Sequence, residues 1–158
     1  MGKAFMTFFE LSDFKRLLGM PLTKAKNWTI GRPITICPSI RAAYGKGSRN
    51  FFSLEDVYLM GLAYELSKAG MAAMAIVKVL DAVKKKLAGK LGKVDMISVW
   101  RASGKLTFEV RKGATQPPEG VVVWQTVNAG AMIKRIEARL IQPKRRPKKQ
   151  SKKQKSGK

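Results

Sequence analysis

Apolar positions first recur at helical spacing where Leu11, Phe14 and Leu18 run up to Gly19. Ser12 reads as the N-cap of that helix and Gly19 as its stop, with Thr7 and Glu10 offering a competing capping box one turn earlier. After Met20 and Pro21, Leu22 to Thr29 gives two more turns. Ala25 and Trp28 point inward at i, i+3, and Lys24, Lys26 and Asn27 point outward. The pattern predicts a helix, a tight turn and a second short helix.

From Arg32 to Ser53 the periodicity changes. Ile34 and Ile36, broken by Pro33 and Pro38, suit short extended pieces, and Ala43-Tyr44-Gly45-Lys46-Gly47-Ser48 reads as an exposed loop before Phe51 and Phe52. Ser53 then caps a third helix with Glu55 and Asp56 in its first turn, where the helix dipole favours acids. Val57, Met60 and Tyr64 share a face of that helix up to Gly70. A fourth helix carries Ile76, Leu80, Val83 and Leu87 at i, i+4, i+7 and i+11, and Lys84, Lys85 and Lys86 close it at the favourable dipole end.

Gly89 and Gly92 mark a boundary, after which apolar residues alternate. Val94, Met96, Ser98 and Trp100, then Leu106, Phe108 and Val110, predict a hairpin joined at Ser103-Gly104. A loop with Pro117, Pro118 and Gly120 leads to a strand from Val121 to Val127. Asn128 caps a last helix bearing Ala129, Ile133, Ile136 and Leu140 on one face. The expected fold class is therefore α+β. Its parts are a helical unit over 1–90, a small β-β-β-α unit over 91–142, and a disordered Lys/Arg-rich tail over 143–158.

Charge narrows the function. The 158 residues carry 32 Lys and Arg against 10 Asp and Glu, a net of +22. Nine of those cations and no acid lie from Pro143 onward, so the rest of the chain still carries +13. A polyanion is the expected partner, nucleic acid before an anionic membrane. No His and a single Cys, Cys37, leave a zinc site, a Ser-His-Asp triad, a Cys-His pair and an intramolecular disulfide without their ligands or partners. We therefore expect no enzyme activity, no metal and no cofactor. No stretch of 18 uninterrupted apolar residues and no signal-peptide pattern occurs, which suits a soluble protein in a reducing cytoplasm.

The order helix, turn, helix, loop, helix, helix acquires a specific look through its residues. Leu18-Gly19-Met20, Lys24-Ala25-Lys26-Asn27-Trp28 and the run from Cys37 to Val57 resemble the MerR-type winged helix-turn-helix. The matching positions are Trp28 beneath the second helix, Pro38 and Arg41 opening the wing, Gly45 and Gly47 at its tip, Arg49 and Phe52 after it, and Ser53 with Asp56 starting the third helix. Leu66 to Gly70, Met71, Ile76 and Leu80 also match. The resemblance spans about residues 8–88, half of the chain. It implies a MerR-like transcriptional regulator that binds double-stranded DNA as a homodimer on an inverted repeat, in concert with RNA polymerase, in the bacterial cytoplasm and on the nucleoid. Two features depart from the family. Gly31 to Ile36 is longer than the usual link into the wing, and no long apolar heptad for a dimerisation coiled coil follows Leu87.

Within that reading the second helix supplies Thr23, Lys24, Lys26 and Asn27 to the major groove. Asn27 is suited to paired hydrogen bonds with adenine and Lys26 to guanine or a phosphate. Arg41, Tyr44, Lys46 and Arg49 on the wing would grip phosphates. Lys144, Arg145, Arg146, Lys148, Lys149, Lys152, Lys153 and Lys155 in the tail would add salt-sensitive, sequence-independent hold. Trp28, Phe51 and Phe52 read as packing residues and the methionines as core fillers. Two alternatives stand beside the regulator. One is a DNA-architectural or excisionase-like accessory protein of phage or recombination systems. The other is an RNA-binding or ribosome-associated protein using Trp100 and Phe108 on its small sheet.

Overall fold

The computed structural model describes residues 8–42, 48–102, 105–111, 119 and 122–142. Two short helices come first, α1 (Leu11–Leu18) and α2 (Leu22–Thr29), followed by α3 (Leu54–Lys68), α4 (Ala73–Leu87) and a 3-10 turn over Leu91–Lys93. Strands β1 (Met96–Ala102), β2 (Lys105–Arg111) and β3 (Val122–Val127) precede α5 (Ala129–Ile141). The class is α+β, as expected.

α1 begins two residues earlier than Ser12 implies. Glu10 is its N-cap, and the Asp13 carboxylate accepts from the Glu10 backbone N–H at 3.0 Å, which leaves Ser12 exposed inside the first turn. Asp13 is buried, so its oxygens are better placed than the Ser12 hydroxyl to serve this end. Gly19 ends α1 in the left-handed conformation at φ 69° and donates back to the Lys15 carbonyl. The link after α2 uses its extra length to fold back. Arg32 N–H donates to the Asn27 carbonyl and Ile36 N–H to the Trp28 carbonyl, satisfying the end of α2 while Ile34 and Ile36 enter the core.

α3 is the axis of the molecule. Every residue from Asp56 to Ala63 is buried, and Leu66 with them. A helix apolar on all sides has to be covered on all sides, and α4, α5, the 3-10 turn and β3 all pack against it. The buried side chains form one continuous cluster from Phe9 to Ile136, so the β-β-β-α segment shares its core with the helical segment.

The sheet is antiparallel in the order β2-β1-β3. Its parity corrects the expected alternation, because Ile97 and Val99 are the fully buried positions of β1 while Met96 and Ser98 are only half-buried. A register shift pairs Val99 with Gln125 but Trp100 with Val123, which leaves Trp124 as the extra residue on β3. Asn128 caps α5 as expected, its side-chain oxygen accepting from Ala131 N–H at 2.8 Å.

α5 is anchored to α1 by two arginines. Arg139 donates to the carbonyls of Leu17 at 2.8 Å and Arg16 at 3.5 Å, and Arg16 donates to the Arg139 carbonyl at 2.6 Å. Each guanidinium thus satisfies carbonyls that the other helix leaves open in its last turn. Gly61 lets the three helices approach. A Cβ there would lie 3.0 Å from Met132 Sδ, 3.1 Å from Leu18 Cδ2 and 3.5 Å from Ile136 Cδ1. A methyl gains about 1 kcal/mol in helix propensity, which offsets a shift of those flexible side-chain ends. Gly61→Ala should therefore unfold in urea within about 1 kcal/mol of wild type, and Gly61→Leu should lose about 2–3 kcal/mol by overpacking. Equal midpoints for Gly61→Leu and wild type would contradict this close approach.

Candidate nucleic-acid interface

α2 is held from below and open above. Ala25 and Trp28 are buried, whereas Thr23, Lys26, Asn27 and Ile30 are exposed at i, i+3, i+4 and i+7, one face of the helix. The side chains of Thr23, Lys26 and Asn27 have no hydrogen-bond or ionic partner among the described residues. Thr23 is not a cap, since Pro21 occupies that position and no side chain caps the helix.

Lys24 departs from the expected outward set. Its ammonium donates to Ser67 Oγ at 2.9 Å and lies 5.1 Å from the Trp28 ring centroid and 5.3 Å from that of Tyr64. Two aromatic faces and a hydroxyl hold the charge against α3, a cation–π arrangement that fixes α2 to the scaffold. Lys68 stands over the same Tyr64 ring at 5.0 Å and pairs with Glu65 at 2.9 Å. Glu65 also binds Arg135 of α5 at 3.1 Å. The Glu65–Lys68 pair at i, i+3 is visible in the sequence; the link to Lys24 is not.

The segments flanking residues 43–47 are anchored near the start of α3. Arg41 and Phe51 form an antiparallel bridge, as do Phe9 and Phe52. The buried Phe52 packs edge-on against Phe14 at 4.8 Å, while the half-buried Phe51 meets the exposed Phe8 at 4.7 Å. The Arg41 guanidinium lies 5.5 Å from the Phe51 ring centroid and is exposed. Arg49, also exposed, makes a forked contact with Glu10 at 3.0 and 3.1 Å. Surface pairs of this type contribute little to stability, so a phosphate can displace Glu10 at small cost. Tyr44 and Lys46 lie outside the described residues, as do all eight tail cations from Lys144 to Lys155.

Asp56 ties this stem to α3. Its carboxylate accepts from Ser53 N–H at 2.8 Å, Ser39 N–H at 3.0 Å and the Ser39 hydroxyl at 2.5 Å, while Ser53 Oγ accepts from Asp56 N–H at 3.2 Å. The capping box is legible in Ser53 and Asp56; the recruitment of Ser39 from 17 residues away is not. One residue earlier, Glu55 accepts from Leu91 N–H at 3.4 Å. Burial raises the Glu55 pKa, opposed by that hydrogen bond and assisted by neighbouring Asp56.

Cys37 is free and exposed. Among the described residues no three His, Cys, Asp or Glu side chains are placed to share a metal ion, and no helix is long and apolar enough to cross a membrane. Trp100 is 7% exposed, which withdraws it from the RNA-stacking role; the Phe108 side chain lies outside the description. No protein-family model matches the chain, and a comparison with curated proteins finds no match either.

The buried Tyr58 hydroxyl donates to Glu137 Oε1 at 3.3 Å, and burial, then the Glu137 charge, push its pKa up to about 12. A folded-state value above the unfolded one near 10 means stability is present below about pH 10 and falls as pH rises toward 12. Urea midpoints at pH 9, 10 and 11 should therefore drop more steeply for wild type than for Tyr58→Phe. Parallel pH profiles would contradict this placement of the hydroxyl.

Proposed function

We propose that the protein is a sequence-specific binder of double-stranded DNA, with α1 and α2 as a MerR-like helix-turn-helix and residues 37–53 as its wing. The observation that carries this reading is the unpartnered face of Thr23, Lys26 and Asn27, on a helix whose opposite side is fixed by Ala25, Trp28 and Lys24. Polar groups that are open to solvent and rigidly held are what base-edge recognition requires.

In this reading Asn27 pairs with an adenine edge, Lys26 reaches guanine or a phosphate, and Thr23 flanks them. Lys24 acts as a positioning residue. Arg41 and Arg49, with Tyr44 and Lys46, grip the backbone, and the tail cations add non-specific hold. The regulator role, with a homodimer on an inverted repeat and RNA polymerase nearby, follows from the family resemblance. A specific observation favours the architectural, excisionase-like variant as second reading: α5 folds back onto α1 and α3 and does not extend as a coiled coil. Circular-permutation bending of the selected duplex separates the two.

The deciding experiment is selection of genomic duplexes by the full chain, followed by salt titrations with it and a 1–143 truncation. Both forms should choose the same duplexes, and truncation should flatten the dependence of log K on log[salt]. Asn27→Ala should lose about 1–3 kcal/mol at the selected site and relax preference at one base pair. Equal binding to all duplexes, or a preference for RNA by both forms, would sink the proposal.

A further inference from the structure

A second basic surface lies away from α2. From Lys84 to Val94 there is no acidic residue, and Lys84, Lys85, Lys90 and Lys93 are all exposed. None of these four has an ion-pair or hydrogen-bond partner for its ammonium among the described residues. Lys86 interacts within the protein, so its charge is not counted with them. Asp81 and Asp95 bracket the segment without pairing to the four.

The segment is held firmly in place. Leu91 is fully buried, and its N–H is bound by Glu55. Gly92 presses against Tyr58 so closely that a Cβ would lie 3.0 Å from the ring. Lys90 N–H donates to the Leu87 carbonyl, Lys93 N–H to that of Lys90, and Val94 N–H to that of Leu91. The lysines therefore stand on a backbone that Leu91 and Gly92 fix against α3.

Their position relative to the candidate interface follows from α3. Glu55 holds the lysine segment and Asp56 holds Ser39 at the base of the 42–50 loop, so adjacent residues, about 3.8 Å apart at Cα, carry the two basic segments. α2 docks at the other end of α3, through Lys24 and Ser67. The twelve helical steps from Glu55 to Ser67 span about 18 Å. The three positive surfaces are thus spread along one rigid helix, with the lysine segment next to the wing.

We propose that Lys84, Lys85, Lys90 and Lys93 form a sequence-independent contact with the duplex backbone on the flank of the bound site, beside the wing. This rests on the DNA-binding reading above. Four exposed ammonium groups with no partner in the protein, carried on one short segment, can each neutralise a phosphate and release its counterions. The leucines among them, Leu87 and Leu91, pack against the core, half-buried and fully buried, and present no apolar face of the kind that inserts into a lipid surface.

The test uses the full chain, the variants K84Q/K85Q and K90Q/K93Q, their combination, and K134Q as a reference for net charge, since Lys134 is exposed on α5. Each is titrated with salt on the selected duplex in two lengths, trimmed to the core site and extended by about ten base pairs on each side, one helical turn. On the long duplex the fourfold variant should lower the slope of log K against log[salt] by about 3.6, near 0.9 per lost phosphate contact. Each double variant should give roughly half that change. Base preference should stay unchanged, and on the trimmed duplex the variants should bind within about twofold of wild type, a fraction of 1.4 kcal/mol.

A slope change no larger than four times that of K134Q, or equal changes on both duplexes, overturns the inference. Wild type that binds duplex without sequence preference sinks the reading of α2, while the slope difference still decides the lysines. Preference of wild type for RNA or for anionic vesicles over any duplex overturns both.

Discussion

The burial of α3 is the constraint on which the rest of the molecule depends. From Val57 to Ala63 no side of this helix faces water. Each large apolar side chain removed from solvent contributes about 1.5–3 kcal/mol, but only while neighbours cover it. Two eight-residue helices such as α1 and α2 are too short to persist alone in water. They are held because Phe14, Leu17, Ala25 and Trp28 join the cluster that encloses α3. The presentation of Thr23, Lys26 and Asn27 is therefore a consequence of packing rather than of helix propensity.

The same helix organises the electrostatics. Its first turn carries Glu55 and Asp56, and Ser53 satisfies one of its open N–H groups. The positive end of the helix dipole is thereby occupied by the protein's own carboxylates, and one of those, Asp56, accepts three hydrogen bonds at Oδ2 from Ser39 and Ser53. Phosphate recognition in the proposed interface accordingly falls to long cationic side chains around this end and not to its backbone amides.

Features written in neighbouring residues were legible in the sequence, and features made by distant ones were not. α2 spans the residues its i, i+3 pattern indicates, Gly19 stops α1, and Ser53 and Asn128 cap their helices, because each signal is local. The parity of β1 is not legible because apolar residues stand at both alternations, Met96 and Trp100 on one and Ile97 and Val99 on the other, and only packing decides which faces the core. Lys24 was expected in solvent because an amphipathic pattern cannot show that Tyr64 and Ser67, some forty residues on, stand beside it. Glu10 displaced Ser12 as the N-cap because Asp13 is buried against it, a matter of tertiary packing. Of the candidate contact residues, the outward set on α2 and the cations at the loop stem could be read from spacing. The anchors that aim them, Ser39 on Asp56 and Lys24 on Ser67, could not.

The paired arginines Arg16 and Arg139 give the fold a temporal character. They join positions 123 residues apart, and each completes the last turn of the other's helix. Contacts of such separation form only after a large loop has closed. As the chain leaves the ribosome, α1 is made before α5, so its final carbonyls remain without these partners until α5 has emerged. α1, on which the helix carrying Thr23, Lys26 and Asn27 packs, is thus secured only once α5 has folded back onto it.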